Sequence, residues 1–406
     1  MSEHAREPLP ENATMRDIFD YCKKHNIHSL AQGMIELPPP ELLREILSVI
    51  VSGTTVHQYR ARQGEEVYRD AIASHLNSEW GAKAVTAANI MATQGVSGGI
   101  IASLLYARAK GVKHVGMLQP FYTYHKLQVH SVYGTSGTAE CEERSWGSVQ
   151  GACAFINGAT TTIGGVEVEI EVNWEAIASA LDDGVGALIV CNPINPSGRV
   201  LKEEEVKKMV QMCADKGALL ILDECYADLT FGDVTHYCPM HDSVVDNVIV
   251  VRGFSKVLGV QSWRVGYVIA SEELIAECVA LHDPIYISVP ITQHAMAVYF
   301  KQDADNYAEH RAELKALMWA NWEVLAPAFG KAFGWTPIAP EGTMYGCFVH
   351  NEKSDMDAVQ KALEKGVGIC PGGIFYGGKR DNTGLVRIHL GINADKTEDI
   401  AKHLLA

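Results

Sequence analysis

The chain has 406 residues, 47% hydrophobic and 20% charged, the balance of a globular protein of about two or three domains. Its formal net charge of −15 argues against nucleic acid or an anionic membrane surface as a partner, although a local basic pocket is compatible with it. No apolar run approaches the roughly 20 residues that cross a bilayer, so no membrane association is expected.

The first stretch, "MSEHAREPLPENATMRDIFDYCKKHN", is polar and lacks the apolar centre of a secretion signal, which predicts a cytoplasmic protein. Short apolar runs then alternate with amphipathic segments. The predicted strands are "NIMAT" (89–93), "HVGML" (114–118), "ALIVC" (187–191), "ALLIL" (218–222), "NVIVV" (247–251) and "VGYVIA" (265–270). Between them, "LKEEEVKKMVQMCADKG" (201–217) reads as a helix: three glutamates open it, lysines follow at i,i+4, and Gly217 stops it. This alternation predicts an α/β fold with a doubly wound, mainly parallel sheet. From about 300 the pattern changes to a long helical stretch (301–330) followed by "TPIAPEGTMYGCFVH", "VGICPGG" and "LVRIHLGI". We expect a large domain over 46–295 and a smaller α+β domain built from 1–45 and 296–406. The ten cysteines form no Cys-x-x-Cys pair and the 16 histidines no His-x-x-x-His pair. They read as reduced core thiols, and no metal site is expected.

The strand ends carry the polar residues. After "NIMAT" comes "QGVSGG", where Gly95, Val96 and Ser97 would aim backbone N–H groups from a helix N-terminus, a ready phosphate site that matches neither a dinucleotide fingerprint nor a P-loop. After "HVGML" comes "QPFYTYH", in which Tyr122 could cover a flat ring. After "ALIVC" comes "NPINPSG" with Asn195, and after "ALLIL" comes "DECY" with Asp223 and Tyr226. A carboxylate closing so apolar a strand is costly unless a cation meets it. After "NVIVV" comes "RGFSKVLGVQSWRVG", with Ser255, Lys256 and Arg264. Taken singly, each has a plainer explanation as a solvated loop or a core-edge aromatic. Together they suit one ligand that is flat, anionic at one end, cationic at a ring nitrogen and joined covalently to an amine. Pyridoxal 5′-phosphate meets those demands.

At this point the chain resembles the fold-type I, class I/II aminotransferase superfamily, from about Gly33 to Arg387. The resemblance implies that Lys256 is the Schiff-base lysine and proton shuttle, and that Asp223 partners the pyridine N–H. It makes Tyr226 and Asn195 donors to the ring's phenolic oxygen and Tyr122 the stacking aromatic. Arg264, Ser255 and the amides of Gly95, Val96 and Ser97 become the phosphate cradle. Arg387 matches the arginine that grips the substrate α-carboxylate, with Gly33 and Asn195 on the substrate side. Tyr59, in "HQYRARQG", matches a tyrosine that reaches the neighbouring subunit's phosphate, so the resemblance implies a homodimer with shared active sites acting on a small-molecule amino acid.

The chain departs from the family pattern in three places. "QGMIELPPP" lacks the usual proline after Gly33, and its Glu36 resembles a glutamate of 1-aminocyclopropane-1-carboxylate synthases. That makes Glu36 a candidate for a cationic substrate group, against the plainer role of an acid near a helix start. No arginine lies between Arg264 and Arg311, where aspartate aminotransferases bind a distal carboxylate. The segment 135–170 is longer than usual and reads as a hairpin or a surface elaboration. The leading expectation is an aminotransferase. The alternatives are a lyase of the same fold, such as one eliminating a γ-group from S-adenosylmethionine, and an amino-acid oxidase. A DNA-binding regulator on this scaffold is opposed by the charge and by how early the pattern begins.

Overall fold

A computed structural model describes residues 9–10, 13–135, 139–378 and 380–406. Its main sheet has nine strands, in the order Ile90–Thr93, Gly266–Ile269, Val248–Gly253, Leu219–Asp223, Val185–Cys191, His114–Leu118, Cys153–Ile156, Gly147–Gln150 and Cys141–Arg144. The run from Val248–Gly253 to Cys153–Ile156 is parallel throughout. Leu219–Asp223 is buried at every position, which is why the sequence there is continuously apolar: helices cover both faces, and no residue is left to face water.

The six strands expected from sequence are all present, but they are not all parallel. Gly266–Ile269 runs antiparallel to both Val248–Gly253 and Ile90–Thr93. The connection from Gly253 to Gly266 carries only a short 3-10 turn, Gln261–Trp263. A parallel return normally runs through a crossover helix packed on the sheet, and this connection has none, in keeping with the reversal. The helix expected over 201–217 spans Glu203–Asp215, with Lys207 Nζ 2.6 Å from Glu203 Oε1. The helical stretch near 300 is two helices, Pro290–Gln302 and Ala304–Phe333. Asp303 separates them and caps the second by accepting from the Asn306 N–H at 2.9 Å.

A second, antiparallel sheet joins Thr336–Ile338, Tyr345–Val349, Leu385–His389 and Cys370–Pro371. The N-terminal His28–Ser29 pairs with Val367–Gly368 beside it. The long segment 135–170, apart from 136–138, which lie outside the described residues, does two things. Its first half adds the three strands that finish the main sheet; its second half is the hairpin Ala159–Ile163 and Val166–Glu171. That hairpin clamps onto the second sheet. Val168 and Ile170 bury against Val349 and Leu385, the Tyr376 hydroxyl donates to the Glu169 carbonyl at 2.6 Å, and Arg380 meets the Glu169 carboxylate at 2.7 Å.

Behind the ends of the central strands lies a buried ion pair. Arg252 donates through Nε and Nη2 to Glu224 Oε2, both at 2.8 Å, and both residues are buried. Such a pair stabilises little against apolar groups, but removing one member strands the other charge. Glu224→Gln should therefore lower unfolding free energy by about 3–5 kcal/mol, read from urea denaturation. A loss below about 1 kcal/mol would mean that Arg252 recovers a partner elsewhere.

Candidate active site

The carboxyl ends of the parallel strands open on a cavity of about 160 Å³ lined by Val96, Ser97, Tyr122, Cys191, Asp223, Cys225, Tyr226, Gly253, Ser255, Lys256, Gln261 and Arg264. Each strand brings its final residues to this edge because all run the same way, the geometry that puts binding sites outside strand ends in open α/β sheets. Asp223 closes the central strand at 2% exposure. Its Oδ2 lies 3.0 Å from His125 Nε2, and its Oδ1 accepts from the Cys225 N–H at 3.1 Å. A buried carboxylate thus has partners on both oxygens. Burial also pushes the Tyr226 hydroxyl well above its usual range, with Tyr345 adding to the effect, so it keeps its proton and can donate.

At the other end, the helix Gly95–Ala109 begins without a side-chain cap, leaving its first N–H groups for a ligand. Gly95 sits at φ +65°, and a Cβ there would press on the Arg264 guanidinium. Arg264 Nη2 donates to the Gln94 carbonyl at 2.9 Å and Nη1 to the Gln261 carbonyl at 3.0 Å, which sets a cation beside those amides.

Lys256 is half-buried, and its Nζ donates to the Gly33 carbonyl at 3.2 Å. Gly33 has no room for a side chain: a Cβ would run into the Tyr345 hydroxyl. Arg387, 1% exposed, donates to Asn195 Oδ1 at 2.7 Å and to the Ala31 carbonyl at 2.8 Å, and Nη2 meets Met15 Sδ at 3.2 Å. Its guanidinium lies 3.8 Å from the Tyr345 ring centroid and 4.7 Å from that of Phe375. Among the described residues it has no carboxylate partner. Its Nε and Asn195 Nδ2 are buried without a hydrogen bond, an arrangement that leaves donors waiting for an acceptor.

Most of the residues singled out in the sequence meet here. Glu36 does not: its Oε1 is 2.6 Å from Lys396 Nζ and its Oε2 accepts from the Asn393 N–H at 3.0 Å. The expectation of a substrate contact therefore gives way to an acid at the start of the last helix, Ala394–Leu405, where a negative charge is favoured. Tyr59 is 90% exposed and away from its own chain's cavity. Sequence reasoning misses four residues that sit at the site: His125, Tyr345, Cys191 and Cys225. The one local signal for His125 is its place in "QPFYTYH", three residues after Tyr122, where the helix Thr123–Tyr133 turns it inward.

The residues fit the cofactor that the resemblance implies. Orphaned donors at Asn195, uncapped amides beside a guanidinium, a buried carboxylate and a cavity-lining amine are the partners such a ring, phosphate and carbonyl need. A family model for aminotransferase class I and II matches residues 24–404. An aromatic aminotransferase from Arabidopsis thaliana is 26% identical over 309 residues, 75% of this chain and 71% of that protein. An aspartate aminotransferase from Bacillus subtilis is 24% identical over 273 residues, 64% of this chain and 67% of that one. The fold is similar to that of an Escherichia coli protein with a methionine aminotransferase function, with a TM-score of 0.80 at 19% identity over 98% of this chain and 99% of the other.

Beside Arg387, His389 is buried. Burial, with the cations of Lys396, Arg387 and Lys256, pushes its imidazole from the usual 6.5 down to about 3. A folded value below the unfolded one contributes stability that is complete above about pH 6.5 and is lost as pH falls toward 3. Unfolding free energy should thus fall through that window, and His389→Asn should make the fall shallower by up to about 1.4 kcal/mol per pH unit. Urea unfolding at several pH values checks it; identical slopes would assign the acid sensitivity to other histidines.

Proposed function

The chain belongs to the class I and II aminotransferases, enzymes that use pyridoxal 5′-phosphate, and from that premise we propose how its own residues carry the reaction. The observation that supports the assignment best is the meeting of the Lys256 amine, the buried Asp223 carboxylate and the uncapped N-terminus of Gly95–Ala109 at one cavity. When bound, the cofactor supplies a carbonyl that takes up the substrate amine and a ring that withdraws electrons from the substrate Cα.

The roles follow from position. Lys256 offers Nζ to the cofactor carbonyl and, once released, takes a proton from the substrate Cα and returns it, as a general base and acid. Asp223, oriented by His125, keeps a proton on the ring nitrogen. Tyr226 and the free Nδ2 of Asn195 donate to the ring oxygen. Tyr122 covers the ring face. Ser255, Arg264 and the amides of Gly95, Val96 and Ser97 hold the phosphate. Arg387 grips the substrate α-carboxylate, and Gly33 closes the substrate side through its carbonyl on Lys256. The large unit, 46–295, carries the cofactor residues, and the segments 1–45 and 296–406 supply Gly33 and Arg387. Among the described residues, Arg264 and Lys256 are the only cations lining the cavity, and Met15, Tyr345 and Phe375 surround Arg387. A neutral side chain on the substrate suits that setting better than a second carboxylate.

The protein is also proposed to be a cytoplasmic homodimer. All ten cysteines are free, as a reducing compartment would keep them. Val49 and Val51 on the helix Glu41–Ser52, and Ile285 and Ile287 just before the helix Pro290–Gln302, are exposed with Tyr59. Exposed apolar groups of this kind favour a partner surface, and a second copy would bring Tyr59 to the neighbouring phosphate.

Mixing the cofactor-loaded protein with a neutral L-amino acid in a single turnover should yield one keto acid and the aminated cofactor, and an added keto acid should reverse it. Lys256→Ala should abolish the half-reaction, and borohydride should fix the cofactor mass on Lys256 in the parent protein. Arg387→Lys should raise KM on the order of tenfold, since an ammonium lacks the bidentate fork. Consumption of the amino acid without amination of the cofactor would overturn the reading. Sedimentation should give twice the chain mass of 44.3 kDa, and Ile285→Asp with Val49→Asp should shift it to the monomer. An unchanged mass would place the subunit contact elsewhere.

A further inference from the structure

The floor of the cavity holds two thiols to which the proposed reaction gives no role, set beside the carboxylate of Asp223. Cys191 closes the strand Val185–Cys191, Asp223 closes Leu219–Asp223, and the two are register partners in the parallel sheet. Cys225 follows two residues on. The two sulfurs and a carboxylate oxygen lie within 4.8 Å of one another. All three residues line the cavity; Cys191 and Asp223 are buried and Cys225 is half-buried.

Two thiolates and a carboxylate select a soft or borderline divalent cation over Mg²⁺ or Ca²⁺. Around a tetrahedral zinc ion such ligand atoms stand roughly 3.4–3.8 Å apart, so modest side-chain rotation closes the set. The fourth position opens on the cavity, with room for water. Asp223 already has the outer support that metal-bound carboxylates need, from His125 Nε2 at 3.0 Å and the Cys225 N–H at 3.1 Å. Positions 191, 223 and 225 have no metal-site spacing along the chain, so no local pattern reveals them; the parallel register brings them together.

We infer that the cofactor-free chain binds a thiophilic divalent cation, Zn²⁺ or Cd²⁺, through Cys191, Cys225 and Asp223, and that this ion and pyridoxal phosphate exclude one another. Binding breaks two S–H bonds, forms two metal–sulfur bonds and one metal–oxygen bond, and releases two protons to solvent. The exclusion half rests on the proposed role of Asp223 toward the ring nitrogen; the binding half does not.

The full-length protein, stripped of cofactor, is titrated with Cd²⁺ and followed by the ultraviolet charge-transfer absorption of cadmium thiolate. One equivalent should bind. Cys191→Ser and Cys225→Ala should each abolish the band with circular dichroism unchanged, and Cys141→Ser, at an exposed cysteine, should keep it. His125→Gln should weaken binding about 10- to 100-fold. The surface group His28, Asp399 and His403 has no sulfur and cannot produce the band. Adding pyridoxal phosphate should release the Cd²⁺ to a metallochromic dye. Absence of the band, or its survival in both cysteine variants, overturns the site. Cofactor binding with Cd²⁺ retained overturns the exclusion and the role given to Asp223, while leaving the metal site standing.

Discussion

Arg387 is a permanent cation buried with no carboxylate beside it among the described residues, and much of the architecture is arranged around that fact. Taking a guanidinium out of water costs several kcal/mol, and here the compensation comes from dipoles and rings: the Asn195 oxygen, the Ala31 carbonyl, the Met15 sulfur and the faces of Tyr345 and Phe375. These partners come from the helix Met15–His25, the bend after His28–Ser29, the loop after Val185–Cys191, the second sheet and the 3-10 turn Gly372–Phe375. Satisfying one side chain therefore fixes five separate parts of the chain against each other. The groups left unsatisfied, the Arg387 Nε and the neighbouring Asn195 Nδ2, are two buried donors without an acceptor.

The same logic runs through the sheet edge. A parallel strand that is apolar to its last residue and then ends in Asp223 buries a charge by construction, so the helix Thr123–Tyr133 has to bring His125 over it. The neighbouring helix Gly95–Ala109 starts uncapped at the same edge, and its exposed dipole is met by no acid of its own. Anionic and cationic demands thus stand at opposite ends of one cavity. A flat ligand with a phosphate and a protonated ring would answer both demands.

Much of this is legible in the chain. Strands buried on both faces need unbroken apolar runs, so all six can be read, together with the polar residues that end them. Gly95, Asn195, Asp223 and Lys256 each follow such a run. What cannot be read depends on distant pairing. Tyr345 matters because Gly33 leaves space for its hydroxyl and Arg387 lies over its ring, and neither relation has a local pattern. Cys191 and Cys225 meet only through strand register. The second strand of the hairpin in 135–170 alternates apolar and polar residues, but its purpose lies in what the hairpin touches, Val349, Leu385 and Tyr376. The direction of Gly266–Ile269 escapes the strand pattern because apolar content gives a strand's burial and says nothing of its sense.

Glu36 shows how charge balance bears on the reaction. A cationic side chain or a sulfonium would need a carboxylate with spare capacity on the substrate side. Both oxygens of Glu36 are engaged, one by Lys396 and one by the Asn393 N–H, and among the described residues the only acid lining the cavity is Asp223, already held by His125. Among the described residues the cations lining the cavity are Arg264 and Lys256, and Arg387 is buried without a carboxylate partner. A site with that balance attracts an anionic cofactor and the carboxylate of an amino acid, and it has nothing to stabilise a positive leaving group. The resemblance of "Gly-Met-Ile-Glu" to a lyase motif is therefore local: the glutamate ties the segment after Gly33 to the last helix, while the Gly33 carbonyl accepts from Lys256.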